Sequence, residues 1–374
     1  MSPYPDRRLR ILLLFGGQSA EHDVSRVSAV AVARALDPDR YDVCPVAITR
    51  DGRWLLADRA RAALESGQLP AAFDVDGAPV RLAEKRAGIG SPVVRLESGG
   101  NALGAVDVAF PLLHGPYGED GTVQGLLELA GLPYVGSGVV GSAVGMDKVM
   151  MKRAFTACGL PTPRYVALRE DGVTKADLDR CEDQLGYPCF VKPANLGSSV
   201  GVSRATDRTG LEEAVDTALR FDEWILVEEG ISGREIEVAV LGDRPPEASL
   251  PGEIVPGDDF YTYEDKYLDD SAELRAPTDL DPERTAEVRR LAVAAFEACR
   301  CEAMARVDFF LEDPGRGFLV NEINTIPGFT PISMYPRLWE ITGVPYAELL
   351  DRLVALALER HERRADRAGR QRDA

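Results

Sequence analysis

Short apolar runs alternate with helical patterns in residues 9–49 and 106–135, and this alternation limits the possible fold more than any other feature. ILLLF and YDVCPVAIT have the composition of buried strands, and the small apolar residues between them recur at helical spacing. VDVAFPLL then predicts a strand, VQGLLELAG a helix that ends at glycine, and LPYV another strand. Because alternating strands and helices form a parallel sheet with helices on its faces, the N-terminal part is predicted to be an α/β unit.

Two further units follow, and together they complete a chain of 374 residues. The second unit carries the predicted strands PCFVKP, VGVSRA, WILVEEG and IEVAVLG, and the third carries a helix at 282–299 and strands at 305–311 and 318–324. At roughly 100–200 residues per domain, this length accommodates two or three domains. The predicted limits are 1–145 for the N-terminal domain, 146–250 for the central domain, 251–360 for the C-terminal domain and 361–374 for an arginine-rich tail.

The charge balance excludes several classes of partner. Lysine and arginine total 43 and aspartate and glutamate 61, which gives a net charge of −18. So acidic a surface repels nucleic acid and anionic membranes, and the apolar run Ile11–Phe15 is too short for a signal peptide. Six cysteines without a C-x-x-C pair are expected to be small core residues in a reducing cytoplasm.

Two glycine motifs each permit more than one interpretation. LPYVGSGVVGSAVG at 132–145 contains G-x-G-x-x-G, which is typical of a dinucleotide-binding turn, but a sheet-building segment of 130 residues precedes it. The alternative is tight packing at a domain junction. GSSVG at 197–201 matches the G-x-S-x-G of hydrolases, yet a strand-like segment follows it instead of a helix. With Lys192 before it, this loop is better interpreted as a phosphate cradle of free N–H groups and hydroxyls.

The most specific chemistry lies in two strands joined by the turn sequence DPGRG. Alternation places Arg306, Asp308 and Phe310 on one face of the first strand, and Phe318, Val320, Glu322 and Asn324 on one face of the second. If residue 312 pairs with 318, then Asp308 faces Glu322 and Arg306 faces Asn324. Opposed carboxylates repel unless something bridges them, and this set of oxygen donors suits Mg²⁺. The alternative is an exposed hairpin with scattered charges.

Together these features predict an ATP site. A magnesium pair, the Lys192 strand with its loop, and Lys148 at the domain junction would hold the phosphates. The buried strand that ends in Glu228 and Glu229 would meet the adenine and ribose.

Seven stretches together resemble the D-alanine–D-alanine ligases of the ATP-grasp superfamily. In chain order they are GGQSAEHDVS, LHGPYGEDGTVQG, GSGVVGSAVGMDK, FVKPANLGSSVGVS, FYTYEDKYLDD, RVDFF and NEINTIPGFTPISMYP. The resemblance implies an α/β and α+β fold with three domains: an N-terminal, Rossmann-like parallel-sheet domain and two domains that grip ATP between two sheets. It also implies that one D-alanine carboxylate attacks the γ-phosphate of ATP, and that a second D-alanine amine attacks the resulting acyl phosphate.

The same resemblance implies a role for each matching residue. The catalytic group comprises Glu21, Ser198, Tyr267, Arg306 and the Gly328 N–H, and the substrate contacts are His114 and Ser333. The nucleotide contacts are Lys148, Lys192, Ser199, Glu228, Glu229, Glu235 and Lys266. Two Mg²⁺ ions, for which Mn²⁺ can substitute, have the ligands Asp308, Glu322 and Asn324.

Residues 252–277 are expected to form a lid that orders over ATP and excludes water from the acyl phosphate. Tyr267 on this lid matches the alanine-using pattern and favours an amide product over an ester. The expected partners are D-alanine and ATP, with a homodimer implied by the resemblance, in the cytoplasm and for peptidoglycan synthesis. A related ligase that makes D-alanyl-D-lactate or another dipeptide, and a nicotinamide oxidoreductase, are the alternatives.

Overall fold

The computed structural model describes residues 7–82, 94–98, 101–255, 273–330, 332–365 and 367. Its N-terminal sheet has the order β3-β2-β1-β7, in which β1 is parallel to both β2 and β7. The elements are β1 (Leu9–Gly16), α1 (His22–Ala35), β2 (Tyr41–Ile48), β3 (Trp54–Leu56), α2 (Asp58–Ser66), β7 (Val108–Pro111) and α3 (Thr122–Ala130). The predicted parallel sheet with interspersed helices is confirmed.

Residues 11–15 of β1 are all apolar because both faces of this part of the strand are covered. Ile11, Leu13 and Phe15 enter one core cluster, whereas Leu12 and Leu14 enter another on the opposite side. A parallel strand with helices on both faces is expected to be a continuous apolar run of this kind. A second, small antiparallel sheet contains β4 (Arg81–Leu82), β5 (Val94–Ser98) and β6 (Asn101–Val106).

Two consecutive helices lead from the N-terminal sheet to the rest of the chain. α4 (Val139–Met146) and α5 (Lys148–Ala157) meet at Asp147, whose carboxylate accepts a hydrogen bond from the Met150 N–H at 2.9 Å. This N-cap satisfies one of the otherwise free N–H groups of α5. Helix α5 thereby starts at a defined residue, with Lys148 in its first turn.

The central sheet is antiparallel and has the order β10-β9-β11-β8. Its elements are β8 (Tyr165–Arg169), α6 (Lys175–Leu185), β9 (Cys189–Pro193), β10 (Ser203–Ala205), α7 (Arg208–Ala218) and β11 (Trp224–Glu229). Helices α6 and α7 cover one face and form a core of their own with it. The other face carries Lys192 and Glu228, together with Leu226, which packs against Val149 of α5.

The C-terminal sheet has the order β15-β14-β12-β16-β17, and β13 pairs with β12. Its elements are β12 (Arg234–Leu241), β13 (Glu247–Ala248), β14 (Gly252–Val255), β15 (Glu273–Arg275), α8 (Pro282–Ala298), β16 (Met304–Glu312), β17 (Gly317–Asn324), α9 (Met334–Thr342) and α10 (Tyr346–Ala365). Strand β12 pairs with β16 over its whole length. The chain therefore passes from the central sheet to the C-terminal sheet between residues 229 and 234, before the domain limit predicted at 250. The sequence does not show this, because an apolar run predicts a strand but not the strand it pairs with.

The N-terminal and C-terminal parts share one hydrophobic core. Phe110 of β7 packs edge to face on Phe329, which also contacts Tyr335 and Tyr346. Five cysteines are buried as expected, but Cys158 is exposed, so the prediction that all six are core residues is wrong for that position. In the part of the chain that the structure describes, no helix is long and apolar enough to span a membrane.

Candidate active site

The functional residues converge where the central sheet and the C-terminal sheet face each other. Lys192 projects from β9, and the charges of Glu228, Glu235 and Glu322 all act on its ammonium group. These carboxylates come from β11, β12 and β17, respectively. The two sheets thus bring together one cation and three acids that are far apart in the sequence.

Asp308 and Glu322 are direct partners across the β16–β17 ladder, as predicted, and Arg306 pairs with Asn324. The predicted turn is wrong by one residue, because Glu312 pairs with Gly317 and a bulge follows between Asp308 and Phe309. The bulge leaves Asn321 without a partner in the register.

The bulge also corrects the predicted face of β17. Phe318 and Val320 pair with Leu311 and Phe309, and they enter the hydrophobic core with Val307. They therefore lie on the face opposite to Glu322. A bulge reverses the alternation of side chains, and a strict period of two cannot anticipate it.

Arg306 is the cation of this ladder. Its Nε and Nη2 donate to the two carboxylate oxygens of Asp308 at 2.7 Å each, and its Nε lies 3.2 Å from Oε2 of Glu237. Burial alone would lower the pKa of Arg306, but Asp308 and Glu237 raise it well above the usual value. Arg306 is therefore a fixed positive charge, suited to hold an anionic group at the end of the acidic pair.

The oxygen donors on this ladder fit a magnesium site. Asp308 and Glu322 supply carboxylates and Asn324 an amide, which donates to Asp308 Oδ2 at 2.9 Å. Hard cations such as Mg²⁺ take one or two carboxylates and complete their shell with water and phosphate oxygens. No group of three or more histidine, cysteine or acidic side chains suited to a metal occurs within the described residues, so phosphate oxygens would be needed to complete this site.

Two buried lysines hold the carboxylate of Glu228 from both sides. The Nζ of Lys152 lies 2.5 Å from Oε1, and the Nζ of Lys192 lies 2.5 Å from Oε2. Burial opposes ionisation of Glu228, but the two ammonium groups lower its pKa to about 2. Burial lowers the pKa of Lys152, whereas at Lys192 the attraction of Glu228 outweighs burial and raises the pKa. The sequence interpretation did not include Lys152, which follows Lys148 by one helical turn.

The loop after β9 reaches across to the N-terminal domain. Ser198 and Ser199 have left-handed backbone angles, with φ of 50° and 58°, and the Ser198 hydroxyl donates to Oε1 of Glu21 at 2.6 Å. Lys148 donates to the carbonyl of Leu196 in the same loop. The structure thus contains the hydrogen bond between Ser198 and Glu21 that the family resemblance implies, and it also brings Lys148 to the same loop.

His114 and Glu119 form the opposite wall. The Nδ1 of His114 lies 3.0 Å from the carbonyl oxygen of Ile326, and its buried Nε2 has no hydrogen-bond partner among the described residues. Burial and the charge of Glu21 raise the pKa of Glu119 to about 8, although N–H groups of Gly115 and Ile326 oppose this shift. Glu119 was not among the predicted site residues, and its place within LHGPYGEDG was the only available signal.

Gly328 and Ser333 lie against each other at the end of this wall. A Cβ on Gly328 would come within 2.6 Å of the Ser333 hydroxyl. That hydroxyl accepts from the Thr330 N–H at 3.0 Å. The turn therefore requires glycine at 328 and presents the Ser333 hydroxyl beside it.

Glu229 is not part of this cluster. Its carboxylate accepts from the N–H and Nε of Arg164 at 2.7 Å each and from Nη1 of Arg316 at 2.6 Å. Since neighbouring residues of a strand point to opposite faces, the carboxylate of Glu229 lies away from Lys192, and the role of Glu229 at the nucleotide stays a prediction. Lys266, Tyr267 and most of the predicted lid lie outside the described residues.

The structure decides between the two interpretations of each glycine motif. A Cβ on Gly141 would lie 2.7 Å from the carbonyl oxygen of Arg300 and 3.0 Å from Cα of Cys301, so the G-x-G-x-x-G segment packs α4 against another part of the chain. The G-x-S-x-G segment is followed by β10 rather than by a helix. The packing interpretation is confirmed, and the hydrolase turn is excluded.

An antiparallel sheet that faces a second sheet across lysines and carboxylates, with a glycine- and serine-rich loop at its edge, defines the ATP-grasp class. Comparisons with known proteins give the family. Residues 10–137 match the family described as D-ala D-ala ligase N-terminus, and residues 154–355 match D-ala D-ala ligase C-terminus.

Relatives and solved structures agree over almost the whole chain. The D-alanine–D-alanine ligase of Streptomyces griseus is 50% identical over 95% of this chain and 94% of its own, and that of Geobacillus kaustophilus is 46% identical over 95% and 96%. The structure of the D-alanine–D-alanine ligase from Coxiella burnetii has a TM-score of 0.81 at 37% identity and covers 96% of both chains. A D-Ala:D-Ser ligase from Enterococcus faecalis also has a TM-score of 0.81, at 32% identity over 94% and 99%.

The chain belongs to the D-alanine–D-alanine ligase family. The predicted family, ATP-grasp fold and enzyme class are thereby confirmed, and the protein is an ATP-dependent ligase.

Proposed function

We propose that the protein joins two D-alanine molecules at the expense of ATP and so supplies D-alanyl-D-alanine for peptidoglycan synthesis in the cytoplasm. The observation that carries this proposal is the direct pairing of Asp308 with Glu322, opposite the Lys152–Glu228–Lys192 cluster. Acids on one sheet and lysines on the other are what a magnesium-bound triphosphate requires on its two sides.

Lys148 and Lys192 contact the α- and β-phosphates in this proposal. Glu228 holds Lys192 in place, Glu235 of β12 lies at the ribose end, and the Ser199 N–H joins the phosphate cradle. Asp308, Glu322 and Asn324 hold Mg²⁺, which neutralises the charge of the transferred phosphate when it is bound. Lys266 approaches the γ-phosphate from the lid.

Glu21 holds the ammonium group of the first D-alanine, and Ser198 orients Glu21 through the hydrogen bond of 2.6 Å. The buried Nε2 of His114, which has no partner among the described residues, forms a hydrogen bond with the same D-alanine. A carboxylate oxygen of this D-alanine attacks the γ-phosphorus, ADP leaves, and an acyl phosphate forms. Tyr267 closes the lid over it.

Ser333 binds the carboxylate of the second D-alanine, whose amine nitrogen attacks the carbonyl carbon of the acyl phosphate. Negative charge develops on the carbonyl oxygen, where Arg306 and the Gly328 N–H stabilise it. The carbon–oxygen bond to phosphate then breaks, phosphate leaves with one proton of the amine, and the peptide bond remains. Loss of one such oxyanion donor typically lowers kcat by about 10²–10³-fold.

A phosphate-release assay with MgATP and a panel of second substrates tests the proposal. We expect ADP, phosphate and D-alanyl-D-alanine in equal amounts with D-alanine alone, and no ADP without D-alanine. The panel includes D-lactate and D-serine, since a structural neighbour is a D-Ala:D-Ser ligase. Product with D-lactate or D-serine but not with D-alanine in the second position would overturn the assignment.

We propose in addition that the enzyme is a homodimer. Apolar side chains are exposed on α3 and α4, two helices that contact each other: Leu126, Leu129, Val139 and Val140, with Leu129 89% exposed. Light scattering should give twice the mass of the 40.6 kDa chain, and Leu129→Glu should halve that mass. A monomeric wild-type protein would contradict this assembly.

A further inference from the structure

The carboxyl group of Glu119 connects two loops from distant parts of the sequence. Its Oε2 accepts the N–H of Gly115 at 2.8 Å, in the loop that follows β7. Its Oε1 accepts the N–H of Ile326 at 2.9 Å, two residues beyond the end of β17. One side chain thus fixes the distance between the loop that carries His114 and the loop that carries Gly328.

Both polar groups of the Ile326 backbone are held from the N-terminal domain. Glu119 accepts its N–H, and Nδ1 of His114 contacts its carbonyl oxygen at 3.0 Å. The next residue is Pro327, whose ring fixes φ near −65°. A residue whose N–H and carbonyl oxygen are both held, and which proline follows, leaves little freedom for the Gly328 N–H.

We propose that Glu119 is a positioning residue, which sets the direction of the Gly328 N–H toward the tetrahedral intermediate of the ligation. The chemical role given to Glu119 rests on the proposed function. The hydrogen bonds from which we infer that role are independent of the function. Glu119 acts through the Ile326 backbone and does not itself touch the substrate.

A role in the fold alone does not explain an acid at this position. Burial and the charge of Glu21 raise the pKa of Glu119 to about 8, so its surroundings disfavour the charged form. Groups held in such unfavourable surroundings concentrate at functional sites.

Amide hydrogen exchange tests the positioning without any assay of activity. In Glu119→Gln, the carbonyl oxygen can serve one backbone N–H, while the NH2 group, which only donates, opposes the other. The hydroxyl oxygen of a protonated Glu119 can still accept. We expect the amides of Ile326 and Gly328 to exchange at least about tenfold faster than in the wild type. The matched control is Glu128→Gln on α3, whose carboxylate binds Tyr134 and Arg364 instead, and it should leave these two amides unchanged.

Kinetics then separate the two chemical steps. In Glu119→Gln, kcat for dipeptide formation should fall about 10–100-fold, with the KM for ATP within about twofold of the wild type. D-Alanine-dependent scrambling of oxygen-18 from the β,γ-bridge of ATP, which reports reversible acyl phosphate formation, should stay within about twofold. The Glu128→Gln enzyme should match the wild type in both assays.

Unchanged exchange at Ile326 and Gly328, or scrambling that falls in step with dipeptide formation, would overturn the proposal. If Glu119→Gln does not fold, Glu119→Asp provides the same test, because a side chain one carbon shorter cannot reach both N–H groups. A wild-type enzyme that makes no dipeptide would refute the proposed function, and the exchange experiment would still decide whether Glu119 positions the loop.

Discussion

At the scale of single residues, the turn that bears Gly328 has the least tolerance for change. A Cβ there would meet the Ser333 hydroxyl at 2.6 Å, inside any real contact distance. The hydroxyl is in turn held by the Thr330 N–H, so it cannot simply rotate away. The two functions proposed for this turn, oxyanion binding and capture of the second carboxylate, therefore share one steric constraint.

Gly328→Ala should lower kcat about 100-fold, because the turn must open and the N–H at 328 moves away from the oxyanion. Steady-state measurement of dipeptide formation checks this. Gly125→Ala on α3 is the matched control, since a Cβ there meets nothing within 4 Å, and alanine in a helix is favoured over glycine by roughly 0.5–1 kcal/mol. Equal activity of the two variants would show that the 328 turn is not part of the site.

The sequence predicts a residue of the site where a local pattern carries the chemistry. Asp308 and Glu322 follow from strand alternation and one turn, and the structure pairs them. Glu119 and Lys152 leave no such pattern, because their roles come from backbone and side-chain partners that are distant in the sequence. Glu228 and Glu229 are a related case, because a pair of acids at a strand end does not reveal which carboxylate faces Lys192.

At the scale of elements, helix α5 connects both nucleotide-binding sheets. Its Met151 and Phe155 pack in the core of the C-terminal sheet, whereas its Lys152 reaches Glu228 of the central sheet at 2.5 Å. Lys152 also donates to the carbonyl oxygen of Val320 on β17 at 3.3 Å. A lysine that is only 1% exposed thus fixes the distance between the two sheets.

Lys152→Met should destabilise the protein by about 3–5 kcal/mol, because it leaves half of the Glu228 charge without its buried partner. It should also raise the KM for ATP, since Lys192 would then hold Glu228 alone. Urea titration and initial rates measure the two effects. The control is Lys175→Met. The side chain of Lys175 is 83% exposed and pairs with Asp179, so its loss should change the free energy of unfolding by less than about 1 kcal/mol. Equal losses of stability in both variants would contradict this role of Lys152.

The helices and most strands of the three units follow from apolar periodicity, but their partners do not. Strand β12 was assigned to the central unit by sequence order, and its ladder with β16 places it in the other sheet. LPYV forms only one bridge, between Ala109 and Tyr134, because the chain turns away at Gly136. Which strands pair with each other depends on packing between distant segments of the chain, and a single sequence does not show that packing.

At the scale of the whole molecule, two carboxyl groups have pKa values that shift in opposite directions. Lysines lower the pKa of Glu228 to about 2, so its contribution to stability is present above pH 4.5 and is lost as the pH falls toward 2. Burial and Glu21 raise the pKa of Glu119 to about 8. Its contribution is therefore fully present below pH 4.5 and is lost as the pH rises to 8.

Comparison of wild type with Glu119→Gln isolates the second contribution. Between pH 5 and 8, the stability of the wild type relative to the variant should decrease with rising pH, by at most about 1.4 kcal/mol per pH unit. Urea titrations at several pH values measure the difference. A difference that is constant or increases with pH would show that Glu119 is ionised throughout this range.

The central claim is that the paired carboxylates of β16 and β17 hold the divalent cations that bind ATP. Electron paramagnetic resonance of Mn²⁺, titrated into protein with a non-hydrolysable ATP analogue, tests it most directly. We predict two bound ions in the wild type and the loss of at least one ion in Glu322→Gln. The control is Glu312→Gln, because the carboxylate of Glu312 lies at the turn end of β16 and binds Arg316. This variant should keep both ions. Full Mn²⁺ occupancy in Glu322→Gln would contradict the claim.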